Sequence, residues 1–256
     1  MSTLRFDPSP RAVINPEDYI CRVPGCPATV VTCFAHNLIE YALEKHGGTA
    51  VAETKCANGP TPLCRLGDAG VGLTMSLVSA PQAVGQYEEL FAMGVERILV
   101  FGTCGVLDSR LADCAIIVPN RAVRDEGVSR HYAPESDEID ANVGTLDLLT
   151  GFFARRGIPH TVGKVWTTDA FYRETPDRVA ERREQGCVAV EMECAALAAL
   201  AQFRGKKIAQ FLYAADNLDA ALWDARSLAN HAEMDAKTAI VDLAIEMGKE
   251  WETISR

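Results

Sequence analysis

The sequence predicts a single α/β domain, a central mixed sheet flanked by helices, spanning residues 1–256. Three observations predict it. Short β-branched runs alternate with longer runs of helical periodicity, the connections between them are short, and Arg97–Phe101 (RILVF) and Ala115–Val118 (AIIV) have the continuous apolar character of strands buried on both faces. No internal repeat or low-complexity linker divides the chain, and residues 1–20, polar and proline-rich at their start, read as a flexible or interface arm.

Taken in order, Thr29–Phe34 (TVVTCF) predicts the first strand, and Asn37–His46 an amphipathic helix closed by Gly47 and Gly48. Gly72–Ser79 predicts a strand and Ala83–Gly94 a helix with apolar residues at helical spacing. The strand Arg97–Phe101 then runs into Gly102-Thr103-Cys104-Gly105, which reads as a tight turn. Ala115–Val118 is a strand halted by Pro119; Leu146–Arg156 is helical, Thr161–Val165 extended and Pro176–Glu184 a charged helix. Val188–Val190 is a short strand leading into Glu191–Phe203, whose alanine content favours helix. Lys207–Ala214 predicts the last core strand, and Ser227–Lys249 a long amphipathic C-terminal helix.

Composition narrows the function. A formal net charge of -10 argues against binding a nucleic-acid backbone, which needs a basic surface, but permits a small anionic substrate in a locally positive pocket. No apolar run approaches a bilayer span, and the first ten residues lack the basic-then-apolar pattern of a secretory leader. Nine cysteines without a C-x-x-C pair, several inside apolar runs, fit small hydrophobes in a reducing compartment better than disulfides or structural metal. The expectation is a cytoplasmic protein.

Ligands of α/β sheets collect where strands end, so four segments carry the candidate chemistry. The glycines and Thr103 hydroxyl of Gly102–Gly105 suit close approach to an anion, although many tight turns look alike. Glu191-Met192-Glu193 puts two carboxylates after an apolar strand, where they either complement the dipole of the next helix or bind a vicinal diol; the second reading is favoured. Asp216 either caps a turn or, with its pKa raised by partial burial, serves as a general acid, with Arg226 available to steer the proton. Phe171, in the segment Thr167–Glu174, stacks on a heterocycle or packs in the core; Arg173 beside it is solvated or binds an anion. His131, in the charged loop Ser129–Tyr132, reads as a surface residue.

Together these segments resemble the nucleoside phosphorylase superfamily, in the branch of uridine phosphorylases and hexameric purine nucleoside phosphorylases. Gly94–Leu107 (GVERILVFGTCGVL) is similar to the family's strand and G-T/S-x-G turn, Ala122–Pro134 (AVRDEGVSRHYAP) to D-G-x-S-x-H-F-x-P, Thr167–Tyr172 (TTDAFY) to S-x-D-x-F-Y, and Val190–Ala196 (VEMECAA) to the E-M-E signature. The resemblance implies a cleavage of the bond between base and ribose. Thr103, with Cys104 and Gly105, would contact phosphate and ribose; Phe171 would stack on the base; Glu191 would orient ribose or base; Met192 and Glu193 would hold the ribose; Asp216 would protonate a purine, with Arg226 as its partner. It further implies inorganic phosphate as co-substrate, no metal or organic cofactor, a small-molecule nucleoside as partner rather than nucleic acid or membrane, and a homo-oligomer, hexamer or dimer.

Three departures stand out. Val100 replaces a phosphate-binding arginine, Cys33–Asn37 lacks the G-D-P-x-R phosphate loop, and Arg173-Glu174-Thr175 replaces the glutamine and arginine with which uridine phosphorylases read uracil. Charge-assisted hydrogen bonds are worth roughly 1.5–3 kcal/mol each, so Arg173, Arg226 or a residue of a neighbouring subunit would have to compensate for two lost cations. Phosphorolysis of a purine or pyrimidine ribonucleoside is the primary expectation; hydrolysis by the same fold and non-catalytic nucleoside binding are the alternatives.

Overall fold

A computed structural model describes residues 6–57, 59–67, 70–219, 222–228 and 232–255. In chain order its elements are β1 (Thr29–Cys33), α1 (His36–His46), β2 (Gly48–Cys56), β3 (Gly59–Leu66), β4 (Val71–Met75), α2 (Ala80–Met93), β5 (Arg97–Val106), β6 (Ile116–Asp125), α3 (Ser129–Tyr132), β7 (Glu138–Asp140), α4 (Leu146–Arg155), β8 (His160–Thr168), α5 (Pro176–Glu184), β9 (Cys187–Glu191), α6 (Cys194–Arg204), β10 (Lys207–Asn217) and α7 (Met234–Ile254). The ten strands form one mixed sheet in the order β10-β6-β8-β9-β5-β1-β4-β3-β2, with β7 on β6, so the predicted α/β class holds. Because β10 also pairs with β5, the strands β5, β10, β6, β8 and β9 close into a ring, and the remaining strands extend from it as an open wing.

Alternation along the central strands explains their continuous apolar character. Val30, Ile98, Val100 and Ile208 face a core shared with Tyr87, Leu90, Leu197 and Leu200 of α2 and α6. Val31, Leu99, Phe101, Ala209 and Phe211 face the opposite core, with Leu38, Phe152, Phe153, Ile245 and Trp251 of α1, α4 and α7. Full burial of each such side chain contributes about 1.5–3 kcal/mol, which fixes the register of the strands that carry the site.

Several predicted boundaries are corrected. Gly102–Gly105 is not a turn: β5 continues to Val106, paired in parallel with β10 from Leu212↔Gly102 to Asn217↔Val106 and with β9 at Gly105↔Val190. Pro119 does not halt β6, because a bulge between Pro119 and Arg121 absorbs it and the strand runs on to Asp125. The helix expected from Glu191 begins at Cys194, after β9 has taken Glu191. The C-terminal helix begins at Met234, preceded by a 3-10 turn at Arg226–Leu228, and positions 229–231 of the predicted span lie outside the described residues. The hairpin β2–β3 was not predicted. Its residues are largely half-exposed, and Pro60 and Pro62 interrupt the β pattern, as edge strands tolerate.

Of the N-terminal arm, residues 1–5 lie outside the described residues. The rest touches α6, where the Phe6 ring meets Phe203 edge-on with centroids 6.2 Å apart and Arg204 donates to the Pro10 carbonyl at 3.0 Å.

Candidate active site

The four predicted segments converge on one cavity of about 880 Å³. Thr103, Cys104 and Gly105 enter from β5, Glu191 and Met192 from the end of β9, Phe171, Tyr172 and Glu174 from the segment after β8, and Asp216 from β10. Val179, Ala180 and Arg183 of α5 and Leu218, Asp219, Trp223 and Leu228 complete the wall. Glycine at 105 leaves room for its neighbours: a Cβ there would lie 2.4 Å from Leu218 Cδ1 and 3.1 Å from Asp216 Oδ1, so those side chains would have to shift. The glycines of β5 therefore serve close packing between strands, not turning.

Asp216 is 9% exposed, and burial raises its pKa. The Trp223 indole N–H donates to its Oδ2 at 2.8 Å and opposes that rise, as does the charge of Arg226. Arg226 is near enough to act through space, but its Nη1 donates to the Leu111 carbonyl at 2.8 Å and it is not part of the cavity wall. The direct partner of Asp216 is thus Trp223, seven residues on, rather than the predicted arginine. Arg173 likewise stands outside the cavity wall, exposed at the end of the 3-10 turn Phe171–Arg173.

Glu191 holds the start of α6. Its Oε1 accepts from Thr167 Oγ1 at 2.5 Å, and its Oε2 accepts from the Glu193 and Cys194 amides at 2.7 and 2.6 Å. Thr167 in turn accepts from the Ala195 amide at 3.0 Å. This is the helix-terminus role weighed for the pair in the sequence, and Glu191 fills it while also facing the cavity. Burial, offset in part by these donors, raises its pKa to about 7, with the charge of Glu126 adding to the rise. Glu193 is buried behind the wall and accepts from the Ser79 amide at 2.6 Å. Burial first, then the charge of Glu191, raise its pKa to about 8.

Sequence reasoning passed over three groups. Glu174 lines the cavity with a pKa raised to about 7 by burial and by the charge of Asp216. Trp223 lies inside the segment singled out as Asp216–Arg226, where an indole N–H after a strand-end acid was the available signal. Arg183, the cation of the cavity wall, is paired with Asp219 at 2.5 Å. Among the described residues the wall therefore carries four carboxyls, at 174, 191, 216 and 219, against one cation already engaged. Phe171 and Tyr172 are half and almost fully exposed at its mouth, their ring centroids 4.0 Å apart.

The sequence signature of the phosphorylase superfamily matches residues 25–245. The chain belongs to that superfamily. It is 34% identical over 130 residues to a guanosine phosphorylase of Halorubrum lacusprofundi, and 31% identical over 126 residues to a purine nucleoside phosphorylase of Colwellia psychrerythraea. The matches take in 50% and 49% of this chain and 53% and 54% of those proteins, so it spans about half the length of the curated relatives it matches. Its fold resembles an AMP nucleosidase of Bacteroides thetaiotaomicron (TM-score 0.69, 18% identity, 89% and 90% of the two chains). It also resembles a uridine phosphorylase of Vibrio fischeri ES114 (TM-score 0.66, 19% identity, 99% and 96%).

Proposed function

We propose that this superfamily member cleaves the N-glycosidic bond of a purine ribonucleoside by phosphorolysis, releasing the free base and ribose 1-phosphate. The observation that carries the reading is Asp216, a buried carboxyl with a raised pKa, fixed by Trp223 at the wall of a cavity that also holds Phe171, Thr103 and Met192. Burial favours the protonated form of that carboxyl, and in this reading it gives its proton to the departing base, at N7 of a purine. Phe171 provides a face for the base and Met192 the ribose end, with Glu193 buried behind it on the Ser79 amide. Glu191 holds the segment rigid through Thr167 and the α6 amides. Phosphate then forms the bond to C1′ on the Thr103 side as the C1′–N bond breaks and its electron pair passes to the protonated base. The names of the curated relatives support purine nucleosides and phosphate as substrates.

One observation favours a second reading, hydrolysis. Val100 is buried in the core beneath the site, and Arg183, the only cation lining the cavity among the described residues, is already paired with Asp219. A phosphate dianion there faces carboxyls without an unpaired cation among the described residues of the wall, whereas water carries no such penalty. Base release from a panel of purine and pyrimidine nucleosides, with and without inorganic phosphate, separates the two. Release that needs phosphate and yields ribose 1-phosphate supports the first reading. Release at the same rate without phosphate replaces it by the second, and no release from any nucleoside sinks both.

A further inference from the structure

Within the cavity wall Glu174 has no use inside the protein. Its backbone N–H closes the 3-10 turn on the Phe171 carbonyl at 3.2 Å, but among the described residues its carboxyl makes no hydrogen bond and no ion pair. Every other carboxyl of the wall is engaged: Asp216 by Trp223, Glu191 by Thr167 and two amides, Asp219 by Arg183 and the Ser109 amide. Glu174 shares the cavity with Phe171, three residues before it, and with Asp216, whose charge it feels. A base stacked on Phe171 with one edge at Asp216 therefore meets Glu174 with another edge.

We propose that Glu174 is the specificity-determining residue of this site, its carboxylate selecting a 2-amino-6-oxopurine by accepting from the adjacent ring and exocyclic N–H groups of that base. The inference rests on the purine reading given above. Two oxygens in one plane match two parallel donors, the arrangement that makes bidentate carboxylate pairs strong. A 6-aminopurine offers one donor beside a ring-nitrogen lone pair, so the second oxygen of the carboxylate meets a repulsive partner. The neutral carboxylic acid, with one donor and one acceptor, fits the 6-aminopurine instead. The charged groups of the cavity that face Glu174 are Asp216 from β10, Glu191 from β9, and the Arg183–Asp219 pair contributed by α5 and the segment after β10. Burial first, then the charge of Asp216, raise the Glu174 pKa to about 7, so both forms of its carboxyl are populated near neutral pH.

The test is kcat/KM for guanosine, inosine and adenosine in the wild-type chain and in Glu174→Gln, each at pH 6 and pH 8. The wild type should rank guanosine above inosine above adenosine at pH 8, with the guanosine preference smaller at pH 6. The glutamine variant, which offers one donor and one acceptor at either pH, should lose roughly 10- to 100-fold on guanosine, hold or gain on adenosine, and lose the pH dependence of the ratio. An equal loss on all three substrates, or an unchanged ratio, overturns the assignment. Binding of free guanine and adenine, followed by Trp fluorescence, keeps it testable apart from turnover. If the wild type releases no base from any nucleoside, the cleavage reading fails; a guanine preference in binding that Glu174→Gln removes still supports the Glu174 assignment, and equal binding of the two bases overturns it.

Discussion

Trp223→Phe removes one hydrogen bond from the proposed acid and little else. The indole is about two-thirds exposed, so its packing contribution is small, while its N–H reaches Asp216 Oδ2 at 2.8 Å. That bond favours the ionised carboxylate and opposes the rise caused by burial. A hydrogen bond to a charged group is worth about 1.5–3 kcal/mol when shielded; solvent at the cavity mouth reduces this to about the lower end. Losing that bond removes part of the preference for the ionised form, so the Asp216 pKa should rise further in the variant. An acid must be protonated to act, so the rate falls as pH rises through its pKa. The alkaline limb of kcat/KM against pH for a purine nucleoside should therefore move to higher pH. A limb that stays in place, or moves down, would show that Asp216 is not the group whose proton limits the reaction.

Asp216→Asn keeps an acceptor for the Trp223 indole but has no proton to give, so turnover should fall about 10²- to 10⁴-fold with the melting temperature little changed; unchanged turnover refutes the acid role. Gly105→Ala forces a Cβ against Leu218 and Asp216, and should destabilise by about 1–3 kcal/mol and lower turnover as the carboxylate is displaced, both readable from a melting curve and a rate; a neutral variant would refute the close approach. Burial raises the pKa values of Glu174, Glu191 and Glu193 to about 7, 7 and 8 in the folded chain, against 4.5 for a free glutamate, so between pH 4.5 and 8 the folded chain holds more protons than the unfolded one. Stability of the free protein should then fall across that window, lowering the melting temperature, and level off above it; a melting temperature that climbs from pH 5 to pH 8 contradicts these shifts.

The fold was legible because the central strands are apolar on both faces, and periodicity alone separates them from α2, α4 and α5. Where it was not legible, pairing outweighed local signals. Gly102 and Gly105 look like turn residues, yet β10 and β9 pair along both sides of β5 and keep it extended. Pro119 looks like a stop, yet the neighbouring bulge carries β6 past it. The site was legible as four segments, since strand ends bring Gly102–Gly105, Thr167–Glu174, Glu191–Glu193 and Asp216 together whatever the details of their turns. The partners within the site were not. Arg226 and Trp223 are both downstream of Asp216, and only the path of the chain back to the Asn217↔Asp224 bridge puts the indole rather than the guanidinium on the carboxylate. Glu174 is one of 35 acidic residues until the cavity separates it from the surface.

The charge balance of the site bears on how it would work. Glu191 and Glu193 adjoin one another at the start of α6, buried, and burial raises their pKa values to about 7 and 8. Holding them costs the free protein stability, and what compensates is positive charge appearing beside them. Base departure from a ribonucleoside puts that charge on the sugar, as an oxocarbenium-like centre, and puts it there only in the transition state. Carboxyls fixed by Thr167, Ser79 and the α6 amides need no reorganisation to meet it, so their interaction strengthens as the bond breaks rather than when the neutral nucleoside binds. The same acidity that works against phosphate in the ground state thus acts for bond cleavage with either acceptor. It predicts that the chemistry of this site is concentrated on expelling the base, with the acceptor following.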